Sequence, residues 1–156
     1  MENISLEVLF KKHIKHTEHK QIVVNKTIHL CSLTNAVLKA CSFSSPKVYL
    51  NSKILKHLYD KKPAEEMDAI IKHCVSVIKY PDKIYKNKES KKGTFCLTKK
   101  IKNNDYLASI EIVKETQPDG LEVNGNYLVT CFRVRDDKYL KKYELFWSWK
   151  DGEPSS

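Results

Sequence analysis

The stretch Pro63-Ala64-Glu65-Glu66-Met67-Asp68-Ala69-Ile70-Ile71-Lys72-His73-Cys74-Val75-Ser76-Val77-Ile78-Lys79-Tyr80-Pro81 decides the fold class. Met67, Ile70, Ile71, Cys74, Val75 and Ile78 recur at helical spacing and form one apolar stripe. Pro63 suits a first turn, where its missing N–H is not needed. Glu65, Glu66 and Asp68 lie near the positive end of the helix, and Tyr80-Pro81 stops it. Beyond Pro81 the period changes. Ile84-Tyr85, Thr94–Lys102, Tyr106–Lys114 and Tyr127–Val134 are rich in β-branched and aromatic residues, and Leu145-Phe146-Trp147-Ser148-Trp149 reads as a last strand. Asn103-Asn104-Asp105 reads as a tight hairpin, while Pro118-Asp119-Gly120 and Asn124-Gly125-Asn126 punctuate a longer connection. Helices followed by antiparallel strands predict an α+β fold: N-terminal helices packed on a mainly antiparallel, twisted sheet of about four to five strands.

Upstream, Lys47-Val48-Tyr49-Leu50 reads as a strand, and Asn51-Ser52 can cap a helix running to about Tyr59 with Ile54, Leu55 and Leu58 on one side. Residues 4–14 have spacings compatible with a short amphipathic helix. Residues 21–30 suggest a strand pair around Asn25-Lys26, and residues 33–41 a short helix closed by a turn at Ser42–Pro46. The expected organisation is an N-terminal helical and strand extension over 1–45, a domain over 46–150 and a disordered tail over 151–156.

The 156 residues suffice for one core and not for two comfortable domains. Five widely spread cysteines, with no Cys-x-x-Cys pair, argue for buried thiols in a reducing compartment rather than a disulfide framework or a zinc ribbon. No apolar run reaches the length of a membrane span, and the acidic, amphipathic N-terminus has no export leader. A cytoplasmic location with no membrane partner is the expectation. The net charge is +9, from 28 Lys+Arg against 19 Asp+Glu, and Arg133 and Arg135 are the only arginines. Nine lysines fall between Lys79 and Lys102, whereas the sign reverses between Asp105 and Glu122. Such a polarised field can steer a polyanion to one face, which makes nucleic acid, and RNA in particular, the expected partner.

No glycine-rich phosphate loop, nucleophile elbow or His-Glu-x-x-His helix is present. His13, His16 and His19 recur at three-residue spacing, but the neighbouring lysines oppose a metal cation, so no metal and no cofactor are expected. His57 falls beside the Ile54/Leu55/Leu58 stripe, at the expected rim of the core. There, desolvation and nearby Lys53, Lys56 and Lys61 would favour a neutral imidazole base. A boundary histidine bonded to the backbone is the alternative. His73 lies on the polar flank of its helix and reads as a surface residue.

The segment Val48-Tyr49-Leu50-Asn51-Ser52-Lys53-Ile54-Leu55-Lys56-His57-Leu58, followed by a helix and Ile78-Lys79-Tyr80-Pro81-Asp82-Lys83-Ile84, resembles phage-associated members of the barnase–EndoU–colicin–RelE-like nuclease superfamily. Tyr127-Leu128-Val129-Thr130-Cys131-Phe132 and Trp147-Ser148-Trp149 are similar to that pattern too. The resemblance covers roughly 46–150 and implies a metal-independent, toxin-like endoribonuclease, with an inhibitor protein as a further partner class. It departs from the pattern where many relatives carry a second histidine and this chain has Lys61-Lys62-Pro63, so a lysine or tyrosine would have to replace it. The implied chemistry is 2′-hydroxyl attack on the adjacent phosphate, giving a cyclic phosphate and a free 5′-hydroxyl. His57 would serve as base or acid, with Thr130, Tyr143 and Ser148 as hydrogen-bonding partners. Lys86, Lys99, Lys100 and Arg133 would hold phosphate, and Trp147 or Trp149 would stack on a base. Period-two alternation places Thr130 with Leu128, Phe132 and Val134, and Arg133 on the other face, so the two share a cleft only through a bulge. A noncatalytic RNA-binding protein and a protein-interaction adaptor are the rival functions.

Overall fold

Alternation along the strands separates a helix-covered sheet face from its reverse. In the computed structural model, which describes residues 4–87, 95–116, 118–135, 140–141 and 143–148, seven strands form one sheet. They are β1 (Thr27–Ser32), β2 (Lys47–Asn51), β3 (Lys83–Asn87), β4 (Phe95–Ile101), β5 (Asn104–Thr116), β6 (Glu122–Val134) and β7 (Tyr143–Ser148). Their order is β1-β2-β6-β5-β4-β3-β7, antiparallel throughout except for the parallel β2–β6 pair. The α+β class holds, but the sheet is wider than four to five strands. The extra width arises because β1 pairs with β2, and β2 joins β6 at Val48↔Asn126 and Tyr49↔Tyr127. The strand pair expected around Asn25-Lys26 is a single strand whose partner comes from beyond Pro46.

Four α-helices accompany the sheet among the described residues: α1 (Leu6–Leu9), α2 (Asn35–Cys41), α3 (Ser52–Lys61) and α4 (Ala64–Lys79). A π-helical turn, Phe10–Ile14, continues α1. It packs on α3, with Phe10 edge-on to Tyr59 at 5.7 Å. The helix α4 buries Met67, Ile70, Cys74, Val77 and Ile78, so Val77 takes the place expected for Val75. Leu9, Ile14, Ile28, Leu50, Leu55 and Ile110 are all nearly sealed from solvent in the same core. Residues from the first third of the chain are therefore part of the core that holds the sheet.

Three sequence expectations shift for local reasons. The β4–β5 turn is Lys102-Asn103, with φ of 49° and 68°, one residue earlier than read; two left-handed residues match the twist of a two-residue hairpin. Asn124-Gly125-Asn126 lies inside β6 rather than in a connection. Buried Asn126 donates from Nδ2 to the carbonyls of Ser45 (2.7 Å) and Lys47 (3.1 Å), so tertiary bonds override a turn-like composition. Finally, the helix after Ser5 ends at Ile14, and His16 has φ of 68°, so His13, His16 and His19 do not line one helix face.

The N-terminal segment is clamped to α3 by polar bonds. Lys56 Nζ donates to Thr17 Oγ1 (2.9 Å), the Glu18 carbonyl (2.6 Å) and Asp60 Oδ1 (2.6 Å). Asp60 Oδ2 accepts from the Lys20 N–H at 3.0 Å, and the Tyr59 hydroxyl accepts from the His16 N–H at 3.0 Å. Ser52, fully buried, accepts from the Lys26 N–H and donates to the Val24 carbonyl. No helix among the described residues is long and apolar enough to cross a membrane.

Candidate nucleic-acid interface

The helix α3 begins where Asn51 Oδ1 accepts from the Lys53 N–H at 2.8 Å. From that start, its phase turns Leu55, Lys56 and Leu58 inward and leaves His57 exposed. The rim position expected for His57 is thus held by Lys56, one residue earlier, because two acceptors from the Thr17–Glu18 loop and a third from Asp60 on α3 meet its ammonium there. His57 instead joins Lys53 and Lys61 at four-residue spacing, all exposed, as a basic stripe on the outer face of α3.

The stripe leads to the α3–α4 junction. There Lys61, Lys62, Phe132, Arg133, Val134 and Arg135 line a shallow cleft of about 390 Å³. Lys62 Nζ lies 5.1 Å from the centre of the Phe132 ring. Arg135 is bound to Glu66 at 2.9 Å. Arg133 has no ion-pair partner among the described residues. Behind it, Tyr106 packs 5.2 Å from the His73 ring. Burial holds the His73 imidazole below its usual range, helped by the charges of Lys72 and Lys102. His73 is half-buried rather than a surface residue.

A second cleft, about 430 Å³, opens on the reverse face of the sheet and is lined by Lys83, Tyr85, Thr98, Lys100, Asp105 and Ser148 among others. Register explains the grouping: Lys83 pairs with both Thr98 and Ser148, and Lys100 with Asp105, which in turn pairs with Val134. Lys83 and Lys100 have no ion-pair partner among the described residues. Lys99 also lines this cleft, but its Nζ is bonded to the Tyr80 carbonyl at 2.8 Å and lies 3.8 Å from Asp82. Val134 lines both clefts, so the cations at the α3–α4 junction and those on the reverse face border one another across the end of β6.

Comparison of the chain with family models, with curated proteins and with solved structures finds no match.

The residues singled out from sequence divide between these surfaces. Ser148, Lys99 and Lys100 share the reverse-face cleft, Arg133 lines the junction cleft, and His57 lines neither. Thr130 and Arg133 pair with Ser109 and Tyr106 without an intervening bulge, so they face opposite ways. A bulge does fall one step earlier, at Val129. It places Leu128 opposite Ile110 in the helix-covered core and Thr130 on the reverse face, which separates the two residues expected to lie together. Tyr143 hydrogen-bonds Cys96 on the reverse face. Burial raises the Cys96 thiol, and bonds to Ser109 and Tyr143 partly offset it. Trp147 pairs with Ile84 and packs against the core, whereas Lys86 is exposed on β3 opposite Phe95 and Glu144. Trp149, Lys88, Lys91 and Lys92 lie outside the described residues, as does the tail over 151–156. Among the described residues, no cluster of three or more His, Cys, Asp or Glu is arranged to hold a metal. Sequence reading missed Lys62, Lys83, Tyr85 and Asp105, whose grouping depends on strand register rather than on local spacing.

Proposed function

We propose that the chain binds single-stranded RNA along a basic track that runs from the outer face of α3, past Lys62 and Arg133, into the cleft holding Lys83 and Lys100. The supporting observation is the shared wall at Val134, which makes two cation-lined clefts contiguous. Exposed phosphates bind such cations by releasing counterions, and Phe132 and Tyr85 supply aromatic surface beside them. With Lys53, Lys61, Lys62, Lys83, Lys100 and Arg133 all engaged, log K would fall against log[salt] with a slope of up to about −4. The test is anisotropy of a labelled RNA between about 50 and 200 mM salt. Arg133→Ala and Lys100→Ala should each weaken binding and flatten that slope, and together more than either alone. Absence of binding at low salt, or insensitivity to the substitutions in one cleft, refutes a shared track.

Cleavage is a second reading, favoured by the amines, phenol, carboxylate and hydroxyl gathered at Lys83, Lys100, Tyr85, Asp105 and Ser148. It also draws on the resemblance to the barnase–EndoU–colicin–RelE-like nucleases. In this reading the Asp105 carboxylate takes the proton of the 2′-hydroxyl as its oxygen bonds to phosphorus, the Tyr85 phenol gives a proton to the departing 5′-oxygen, and an ammonium holds the developing charge. His57, on the outer face of α3, would then meet the strand outside the reverse-face cleft. Chelator-resistant cleavage lost in Tyr85→Phe or Lys100→Ala and retained in His57→Ala supports it; the reverse pattern returns the chemistry to α3. An inhibitor protein would have to cover the same cations.

A further inference from the structure

Three aromatic side chains from distant parts of the chain meet on the reverse face of the sheet. His29 on β1, Tyr49 on β2 and Tyr127 on β6 are direct neighbours in register. Their ring centroids are 5.9 Å apart for His29–Tyr49 and 5.6 Å for Tyr49–Tyr127, with interplanar angles of 53° and 36°. Their strand neighbours Ile28, Val48, Leu50 and Leu128 are sealed in the helix-covered core, so alternation directs the three rings away from the helices. All three are half-buried rather than sealed like the core aromatics Phe10, Phe43 and Phe95.

Gly125 explains how the end of this row is shaped. A Cβ at Gly125 would lie 2.8 Å from Tyr127 Cε2, closer than carbon atoms approach. The missing side chain lets the Tyr127 ring lie back over the strand instead of standing upright, which turns more of its face outward. Lys47 precedes Tyr49 by two residues, shares its face of β2 and is exposed. At the other end Glu111 pairs with Tyr127 and repels phosphate there.

We infer that His29, Tyr49 and Tyr127 form a base-stacking platform for a single-stranded nucleic acid, with Lys47 holding the backbone beside it. This rests on the RNA-binding reading and adds a site that the basic track lacks. Stacking on an open sheet face suits about two or three bases, tolerates any base sequence and contributes affinity that salt does not screen. The net charge of +9 makes a polyanion the complementary occupant of such a face. Along β6, at about 3.3 Å per residue, Tyr127 lies roughly 23 Å from Val134. The platform is therefore a separate contact from the junction cleft.

The experiment compares a base-bearing single strand with an abasic strand of the same length and charge, using the full chain. The unaltered protein should bind the base-bearing strand at least about 5-fold more tightly. Tyr49→Ala should reduce that binding by about 5- to 150-fold, the fold-change for one lost stacking contact, while leaving abasic binding and the salt slope unchanged. Tyr49→Phe, which keeps the ring face, should retain the affinity. Equal binding of both strands by the unaltered protein overturns the platform and leaves the basic track standing. Binding of neither strand at low salt removes both. Should Tyr49→Ala fail to fold, Tyr49→Leu keeps apolar bulk without the ring face, and a preference for the base-bearing strand that survives it places the stacking elsewhere and overturns the platform.

Discussion

Replacing Asp60 with alanine tests whether the N-terminal segment is held by a buried charge. The Lys56 and Asp60 side chains are only 7% and 12% exposed, and Lys56 Nζ has three acceptors. Removing the carboxylate leaves a buried ammonium without its counter-charge and the Lys20 N–H without its acceptor. Stripping one partner from a buried pair costs about 3–5 kcal/mol. The lower end applies here, about 3 kcal/mol, because the Thr17 hydroxyl and Glu18 carbonyl still accept. For a domain of this size that lowers Tm by roughly 6–12 °C. Lys56→Met should cost a similar amount, about 3 kcal/mol, because it leaves the Asp60 carboxylate without its counter-charge and the Glu18 carbonyl without its donor, while Asp60 keeps the Lys20 N–H. Adding Asp60→Ala to Lys56→Met should then cost little more. Urea unfolding followed by circular dichroism reads all three. A loss below about 1 kcal/mol in Asp60→Ala, or losses that simply add in the double variant, would refute a buried, charge-dependent clamp.

The same pair sets an acid limit. Burial alone would raise the Asp60 carboxyl, but the Lys56 hydrogen bond, the Lys20 N–H and the Lys56 charge outweigh it and hold it below its ordinary value of 3.8. The native state therefore binds fewer protons than the unfolded chain. Its contribution is complete above 3.8 and disappears as pH falls through the folded value, a loss that Asp60→Asn should abolish in an acid titration. Cys31 and Cys41 are pushed up to about 12, mainly by burial, so both should resist alkylation at neutral pH and react only after unfolding. Rapid modification of native protein, read by mass, would contradict this. Leu9→Ala should destabilise by about 3 kcal/mol, because Leu9 is fully sealed in the shared core. A near-neutral effect in urea unfolding would mean that α1 is detachable.

The long-period signals were readable from sequence alone. The apolar stripe of α4 and the β-rich second half survive almost unchanged, because both follow from local periodicity. One-residue phase was harder. Lys56 rather than His57 turns inward because Thr17, Glu18 and Asp60 converge on it, and two of those residues come from a distant loop. Thr130 changes face because of a bulge at Val129, which carries no sequence marker. Asn124-Gly125-Asn126 has turn composition, yet Asn126 serves Ser45 and Lys47, and Gly125 makes room for Tyr127. The row of His29, Tyr49 and Tyr127 needs the parallel β2–β6 pairing before it exists at all.

That lone parallel ladder also orders events during synthesis. The β1–β2 pair leaves the ribosome well before its next neighbour, β6, because the whole stretch between Asn51 and Glu122 must be made first. Until β6 is translated, β2 presents an unsatisfied edge, with Val48 and Leu50 beside it awaiting cover. A nascent chain that has paired β1 with β2 would keep that edge open while the intervening residues are made. Completion depends on one late, sequence-distant contact, the kind that slows folding and rewards chaperone capture.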